Sequence, residues 1–220
     1  MTSLKFLHDV AYEYLREMIV SEKLVVDKLY YSTDIAKSID MSLTPVRDAL
    51  QRLEQDGYVE VMPSRGFRVR RLTNKDIREI VQFRCAIEGY CASQLGKDIV
   101  EGKDVSATVD ALRSCIDSME QLQLTPSDIS EFSDLDSQFH LEMVRYLNNT
   151  LFNVNYDKNV NLIKRFLVEA MNKPYRMEES IEEHNLILDA ILQGNTADIN
   201  ENLHSHIIKA GGMLLIMEQD

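Results

Sequence analysis

The sequence predicts a mainly α chain in two parts, a short helical unit closed by a β-hairpin and then an all-α antiparallel helical bundle. Three observations carry that expectation. Apolar residues recur at helical spacing through most of the 220 residues, β-rich runs occur only around residues 58–71, and no strand pattern returns after Asn74. The division falls after residue 72, giving units of residues 1–72 and 73–220. At 45% hydrophobic, the chain has enough apolar side chain to bury a core in each unit. No apolar run reaches the roughly 18 residues of a membrane span. The first residues carry acids through their apolar pattern, so a signal peptide is not expected either, and the expected location is the cytoplasm. Cys85, Cys91 and Cys115 form no CxxC pair and read as reduced thiols.

In the first unit, Leu7, Val10, Tyr14, Met18 and Ile19 predict a helix over residues 6–22. Ser32 is placed to cap a second helix, Thr33 to Ile39. Thr44-Pro45 supplies a cap and a first-turn proline for a third helix, Val46 to Gln55, which Asp56-Gly57 ends. Two β-rich runs follow, Tyr58 to Met62 and Gly66 to Arg71, separated by Pro63-Ser64-Arg65, with Gly66 available for a positive φ. Helix, helix, turn, helix and hairpin in that order make a winged helix-turn-helix. In that fold the third helix enters the DNA major groove, and the hairpin tip reaches the neighbouring backbone.

Net charge refines this reading. The chain carries -12 overall, which by itself argues against nucleic acid. Residues 1–72, however, hold 11 Lys+Arg and 11 Asp+Glu, so all of the excess acid lies in the second unit. Arg65, Arg68, Arg70 and Arg71 fall within seven residues that contain no acid. Such a patch reads either as a phosphate contact or as a solvated strand end.

The stretches Ser42-Leu43-Thr44-Pro45-Val46-Arg47-Asp48-Ala49-Leu50-Gln51-Arg52-Leu53, Gly57-Tyr58-Val59 and Pro63-Ser64-Arg65-Gly66-Phe67-Arg68-Val69 resemble the DNA-binding domain of the GntR superfamily. The resemblance implies that Ser42, Thr44 and Arg47 contact the operator from the third helix, and that Arg65 and Gly66 contact it from the wing. Hydroxyls at a helix N-terminus suit phosphate oxygens, and an arginine one turn in suits guanine. Leu43 stands where the family usually has arginine, Thr33 where it often has a charge, and Asp27 and Asp40 where turn glycines are common.

The second unit reads as helices over residues 74–95, 104–121, 126–147, 150–172, 177–193 and 196–217, joined by short connectors that favour antiparallel neighbours. Polar groups interrupt three of the apolar stripes. Asp136 and His140 lie four apart beside Phe132, Leu135, Phe139, Met143 and Leu147. His184 sits among Met177, Ile181, Leu188 and Ile191, and His206 among Ile199, Leu203, Ala210 and Met213, while His204 points elsewhere. One inward histidine is more often a hydrogen-bonded core residue, but three of five histidines plus an aspartate favour a divalent metal. Zinc is the first candidate, and nickel, manganese or iron also suit these ligands. Arg84 lies on the buried face set by Ile77, Ile80, Ile87 and Cys91, where it needs a carboxylate. An effector, or an internal pair with Glu88 or Asp136, would serve equally.

The motifs Arg84-Cys85-Ala86-Ile87-Glu88, Asp136-Ser137-Gln138-Phe139-His140, Asn149, Glu183-His184-Asn185-Leu186-Ile187-Leu188-Asp189-Ala190-Ile191 and His206-Ile207 resemble the FCD ligand-binding domain of the FadR subfamily. The resemblance implies that Asp136, His140, His184 and His206 bind a divalent metal. It implies also that a small carboxylate metabolite binds at or near that metal, with Arg84 and Asn149 as its contacts. The expected function is an effector-controlled transcription regulator, acting as a homodimer on an inverted-repeat operator in double-stranded DNA. The alternatives are a regulator that senses the metal itself and, with less support, a metalloenzyme using the same residues. Only Leu72 and Thr73 separate the expected wing strand from the helix of Arg84, so movement of that helix is expected to reach the DNA-binding unit.

Overall fold

The computed structural model describes residues 6–21, 23–123, 129–173 and 175–216. The chain divides into two compact units, Met1–Leu72 and Thr73–Asp220.

In the first unit, α1 (Leu7–Val20) packs on α3 (Leu43–Gln55), and α2 (Ser32–Ser38) packs on α3 as well. The core is formed by Leu15 from α1, Val46, Ala49 and Leu53 from α3, and Phe67 from the hairpin, all fully buried. The face of α1 is rotated from the expected one. Of the expected residues Ile19 is buried and Tyr14 and Met18 pack partly against the core, but Leu7 is 62% and Val10 38% exposed, and Ala11, Tyr12 and Leu15 are buried instead. Both sets obey helical spacing and lie one residue, about 100°, apart around the axis. Packing against α3 selects between them. Tyr12 then donates to Asp56 at 2.6 Å, and the Arg52 guanidinium lies over the Tyr12 ring while pairing with Asp9.

The helix starts also shift. The N-caps are Tyr31 and Ser42 instead of Ser32 and Thr44, so Pro45 occupies the third position of α3. A proline fits there because first-turn N–H groups have no partner within the helix. Asp27 and Asp40 have φ of 63° and 50°, so both occupy the left-handed conformation a turn glycine would supply. Aspartate is one of the few residues that visits this region readily.

The hairpin pairs β2 (Val59–Met62) with β3 (Gly66–Val69), and β1 (Leu29–Tyr30) joins on the other side of β3 in the order β1-β3-β2. No pattern of two residues could announce β1, which exists only through its partner. The register sets Val59 opposite Val69 and Val61 opposite Phe67 on the core side, and Glu60 opposite Arg68 on the other face, where they pair at 2.7 Å. Gly66 has φ of +119°, and a Cβ there would lie 2.1 Å from the Tyr30 carbonyl oxygen. The third strand thus requires a glycine at this position.

In the second unit, α4 (Asn74–Val100) contacts α6 (Ile129–Tyr146), α7 (Thr150–Met171), α8 (Arg176–Gln193) and α9 (Thr196–Ile216), and α5 (Ser106–Gln123) covers α6 and α8. Thr73 and Asp76 form a reciprocal capping box that starts α4. That helix runs five residues beyond its expected end, straight through Gly96. There a Cβ would meet the Ile199 side chain at 2.6 Å, so the glycine serves a close crossing with α9 and does not stop the helix. A two-residue connector, Gly194-Asn195, joins α8 to α9, which pack on each other and therefore run antiparallel. The expected connector at Leu124-Thr125-Pro126 and Pro174 of the following one lie outside the described residues. Cys85, Cys91 and Cys115 are free thiols, the first half-buried and the others buried.

Gly66→Ala should destabilise the first unit by about 1–3 kcal/mol, because it combines a strained φ with a backbone clash. Urea unfolding reads this directly, and an unchanged midpoint would contradict the fit of β1 against β3.

Candidate metal centre and nucleic-acid interface

Four side chains from three helices converge in the middle of the second unit. Asp136 and His140 come from α6, His184 from α8 and His206 from α9, and one ligand atom of each lies within 4.8 Å of all the others. None is more than 1% exposed. The i,i+4 spacing stacks Asp136 and His140 on one face of α6, while the inward stripes of α8 and α9 bring in the other two imidazoles. His140 Nε2 lies 3.1 Å from His206 Nε2 and 3.2 Å from His184 Nε2. Asp136 Oδ1 is 3.4 Å from His184 Nε2 and accepts from Ser180 Oγ at 3.0 Å. His204, by contrast, is exposed.

Two of the histidines are held from behind by glutamates. His140 Nδ1 lies 2.8 Å from Glu88 Oε2, and His206 Nδ1 lies 2.7 Å from Glu183 Oε2. Each glutamate is paired in turn with a fully buried arginine. Arg84 Nε donates to Glu88 at 2.8 Å, and Arg176 Nη2 donates to Glu183 at 2.6 Å. Tyr156 also donates to Glu88, at 2.8 Å. Burial alone would raise the pKa of both carboxyls. Arg84 and His140 overcome that for Glu88, and His206 and Arg176 overcome it for Glu183, leaving each carboxyl at about 2. Burial, the neighbouring imidazoles and both arginines push His184 well below its ordinary value. Burial brings His206 to about 4 against the pull of Glu183. Both imidazoles are therefore neutral at pH 7.

Arg84 resolves one sequence alternative. It makes the internal ion pair with Glu88 through Nε and Nη2, yet among the described residues its buried Nη1 has no hydrogen-bond partner, so one of its three nitrogens remains unengaged. Asn149 stands apart from the four-residue cluster. It caps α7, its Oδ1 accepting from the backbone N–H of Leu151 and Phe152. Sequence reasoning passed over Arg176 and Glu183 as functional groups. Their signal was available, since Glu183 directly precedes His184 and Arg176 lies seven residues earlier on the same face of α8.

In the first unit, Ser42, Thr44 and Arg47 are exposed at the N-terminal end of α3, and the hydroxyl of Ser42 makes no capping bond. Arg47 lines one cleft of about 480 Å³ together with Arg65 and Gly66 from the hairpin and Ser32 and Thr33 from α2. The arginines of this unit differ in availability. Arg68 is paired with Glu60, Arg71 with Asp27 at 3.5 Å, and Arg52 with Asp9. Among the described residues Arg47 and Arg65 make no ion pair, so their charges are free for an external anion.

A winged helix-turn-helix presenting arginines without acidic partners among the described residues, followed by a helical domain built around a buried Asp/His cluster, is the architecture of a DNA-binding regulator. Comparison with known proteins agrees. The FCD domain family matches residues 79–209, and the gntR family of bacterial regulatory proteins matches residues 7–69. The chain belongs to the GntR-type transcriptional regulators that carry an FCD domain. It is 26% identical to the HTH-type transcriptional regulator YdhC of Bacillus subtilis, over 89% of this chain and 85% of that protein. It is 27% identical to the gluconate operon transcriptional repressor of the same species, over 90% and 80%. Its fold matches a GntR regulator of Rhodococcus sp. RHA1 with a TM-score of 0.74 at 19% identity, covering 94% of this chain and 97% of that one. It also matches Escherichia coli McbR with a TM-score of 0.69 at 17% identity, covering 99% and 100%. These relatives are regulators and not enzymes, and no helix among the described residues is long and apolar enough to cross a membrane.

The depressed histidine pKa values set a pH dependence for metal-free protein. The unfolded chain takes up protons on His184 and His206 near pH 6.5, whereas in the folded protein burial holds His206 down to about 4 and His184 well below its ordinary value. Stability therefore falls as pH drops from about 6.5, by up to about 1.4 kcal/mol per pH unit for each histidine. Glu88 and Glu183, whose folded pKa values are depressed, add a further loss below pH 4.5 toward 2. Melting in the presence of a chelator should drop between pH 7 and 5, and a flat profile there would contradict the neutral, buried cluster.

Proposed function

We propose that this regulator holds a divalent metal at Asp136, His140, His184 and His206, and that a small carboxylate bound at or near the metal controls its grip on operator DNA. One observation carries the metal. Glu88 Oε2 lies 2.8 Å from His140 Nδ1 and Glu183 Oε2 lies 2.7 Å from His206 Nδ1, and in the tautomer that places each ring's proton on Nδ1 the two Nε2 lone pairs face each other across 3.1 Å. Two lone pairs that close repel, and a cation between them turns the repulsion into coordination. The spacing fits. Metal–nitrogen bonds of about 2.1 Å set neighbouring nitrogens roughly 3.0–3.4 Å apart across octahedral to tetrahedral angles, and the measured separations are 3.1 and 3.2 Å. Asp136 adds an oxygen ligand, and its Oδ2 has no hydrogen-bond partner. Zinc suits this set best, and nickel, manganese and iron suit it also. When bound, the metal supplies a Lewis acid with coordination positions left for an oxygen of the effector.

The unengaged Nη1 of Arg84 supports a carboxylate as that effector, because a buried guanidinium hydrogen left unpaired is costly. Asn149 remains a candidate contact through the family resemblance, as does assignment to the FadR subfamily. One relative represses a gluconate operon, which makes gluconate the first acid to titrate. On the DNA side, Ser42, Thr44 and Arg47 read or position the operator from α3, and Arg65 and Gly66 reach it from the wing. A homodimer places two such units on an inverted repeat. Residues 1–72 thus form the DNA-binding domain and residues 73–220 the effector domain of a cytoplasmic protein. Val69 ends the wing strand and Thr73 caps α4, so residues 70–73 connect the domains. So short a segment has little slack to absorb a movement of α4.

Arg47→Ala should cost about 1–3 kcal/mol of operator affinity if its contact to a base is bidentate. Arg65→Ala should weaken specific and random DNA alike if it contacts phosphate. Gel-shift titration at fixed salt tests both, and unchanged affinity for Arg47→Ala would remove α3 from the role of recognition helix.

His184→Ala or His206→Ala should abolish most metal content and lower the melting temperature of the loaded protein, whereas His204→Ala should do neither. Elemental analysis with thermal melting measures both effects. Full metal occupancy in the double variant His184→Ala/His206→Ala would refute the site.

A further inference from the structure

We infer that Glu88 and Glu183, each anchored by its own buried arginine, are positioning residues that set the affinity of the metal centre through His140 and His206; the inference rests on the metal reading above. The same arrangement occurs twice, built from different helices. On α4, Arg84 and Glu88 stand four residues apart and reach His140 on α6. On α8, Arg176 and Glu183 stand seven apart and reach His206 on α9. Each glutamate has a further donor, Tyr156 for Glu88 and Lys209 for Glu183 at 3.1 Å. Both are thereby fixed in rotamer, each with one oxygen 2.7–2.8 Å from the Nδ1 of a histidine.

Two consequences follow for the ligand ring. A carboxylate this close favours the tautomer with the proton on Nδ1, so the lone pair is on Nε2 and faces the other ligands. The negative charge behind the ring also makes that Nε2 a stronger donor to a cation. His184 lacks this support: among the described residues no carboxylate oxygen lies within ion-pair distance of its Nδ1, whereas Glu88 lies 2.8 Å from His140 Nδ1 and Glu183 2.7 Å from His206 Nδ1. The centre therefore has two braced imidazoles and one unbraced.

A purely structural role for these ion pairs fits less well. Arg84 and Arg176 are both 0% exposed, and Nη1 of Arg84 with Nε and Nη1 of Arg176 have no hydrogen-bond partner. Burying arginines with donors unsatisfied is a poor way to stabilise a bundle, for which apolar residues of similar size do as well or better. What the arginines do accomplish is to hold a carboxylate in place behind each histidine.

The test is zinc affinity of the full-length protein, measured by competition with a chromophoric chelator, for Glu88→Gln, Glu183→Gln and the control Glu179→Gln. Glu179 touches Arg176 at 3.5 Å and Lys209 at 3.0 Å, so its loss perturbs the same network without touching a histidine. Each relay variant should bind zinc about 10–100-fold more weakly, and the control should stay within about 3-fold of wild type. The visible absorption of the cobalt(II)-loaded protein should shift in both relay variants and not in Glu179→Gln, a readout that loss of packing does not reproduce. Far-UV circular dichroism of the metal-free proteins establishes folding. Should Glu88→Gln fail to fold, the partly exposed Glu183→Gln still decides the matter. Wild-type zinc affinity in folded Glu183→Gln, or an equal loss in Glu179→Gln, overturns the inference. A wild-type protein that takes up no divalent ion overturns the metal centre itself and shows this before any variant is made.

Discussion

Charged and polar side chains in the interior of the second unit constrain everything around them. Asp136, Glu88, Arg84, Arg176 and three imidazoles are withdrawn from water together. Each alone would be expensive to bury, so the helices that carry them must meet in one arrangement that satisfies the set. This is why α4, α6, α8 and α9 converge on one point. It is also why the apolar stripes of α6, α8 and α9 tolerate a polar residue at the same depth. Apolar packing alone would accept small rotations and slides of a helix. Carboxylate–imidazole contacts of 2.7–2.8 Å and a tyrosine–carboxylate hydrogen bond of 2.8 Å between helices do not.

The same constraint joins sensing to structure. Arg84 and Glu88 belong to α4, the helix that follows the DNA-binding unit after a four-residue connector, and they touch the cluster through His140. Any ligand that competes for the free edge of Arg84 therefore acts on a helix directly connected in sequence to the wing. A regulator needs such a link between a chemical event and a mechanical element.

The first unit manages charge in the opposite way. Its surplus arginines are mostly neutralised locally, Arg52 by Asp9, Arg68 by Glu60 and Arg71 by Asp27. Among the described residues Arg47 and Arg65 make no ion pair, and both line the cleft between α3 and the hairpin. Of the basic patch visible in the sequence, Arg68 and Arg71 are thus paired with acids and Arg65 is not. A chain of net charge -12 can grip DNA because the acidic excess lies in the other unit.

Much was legible in the sequence because it depends on local rules. Helical periodicity marked every helix to within a few residues, apart from the five-residue extension of α4. The turn residues marked the hairpin, and i,i+4 spacing put Asp136 beside His140. The inward positions of His184 and His206 could be read from their own stripes. What tertiary structure decided was whatever required a second element to choose. Two adjacent faces of α1 satisfied the same spacing, and only α3 selected Leu15 over Leu7. The strand Leu29–Tyr30 exists only because β3 offers it hydrogen bonds, and Gly96 continues a helix because α9 crosses there. Glu88 and Glu183 became partners of His140 and His206 only when four helices met, since side chains 52 and 23 residues apart come within 2.7–2.8 Å by virtue of packing and not of sequence spacing.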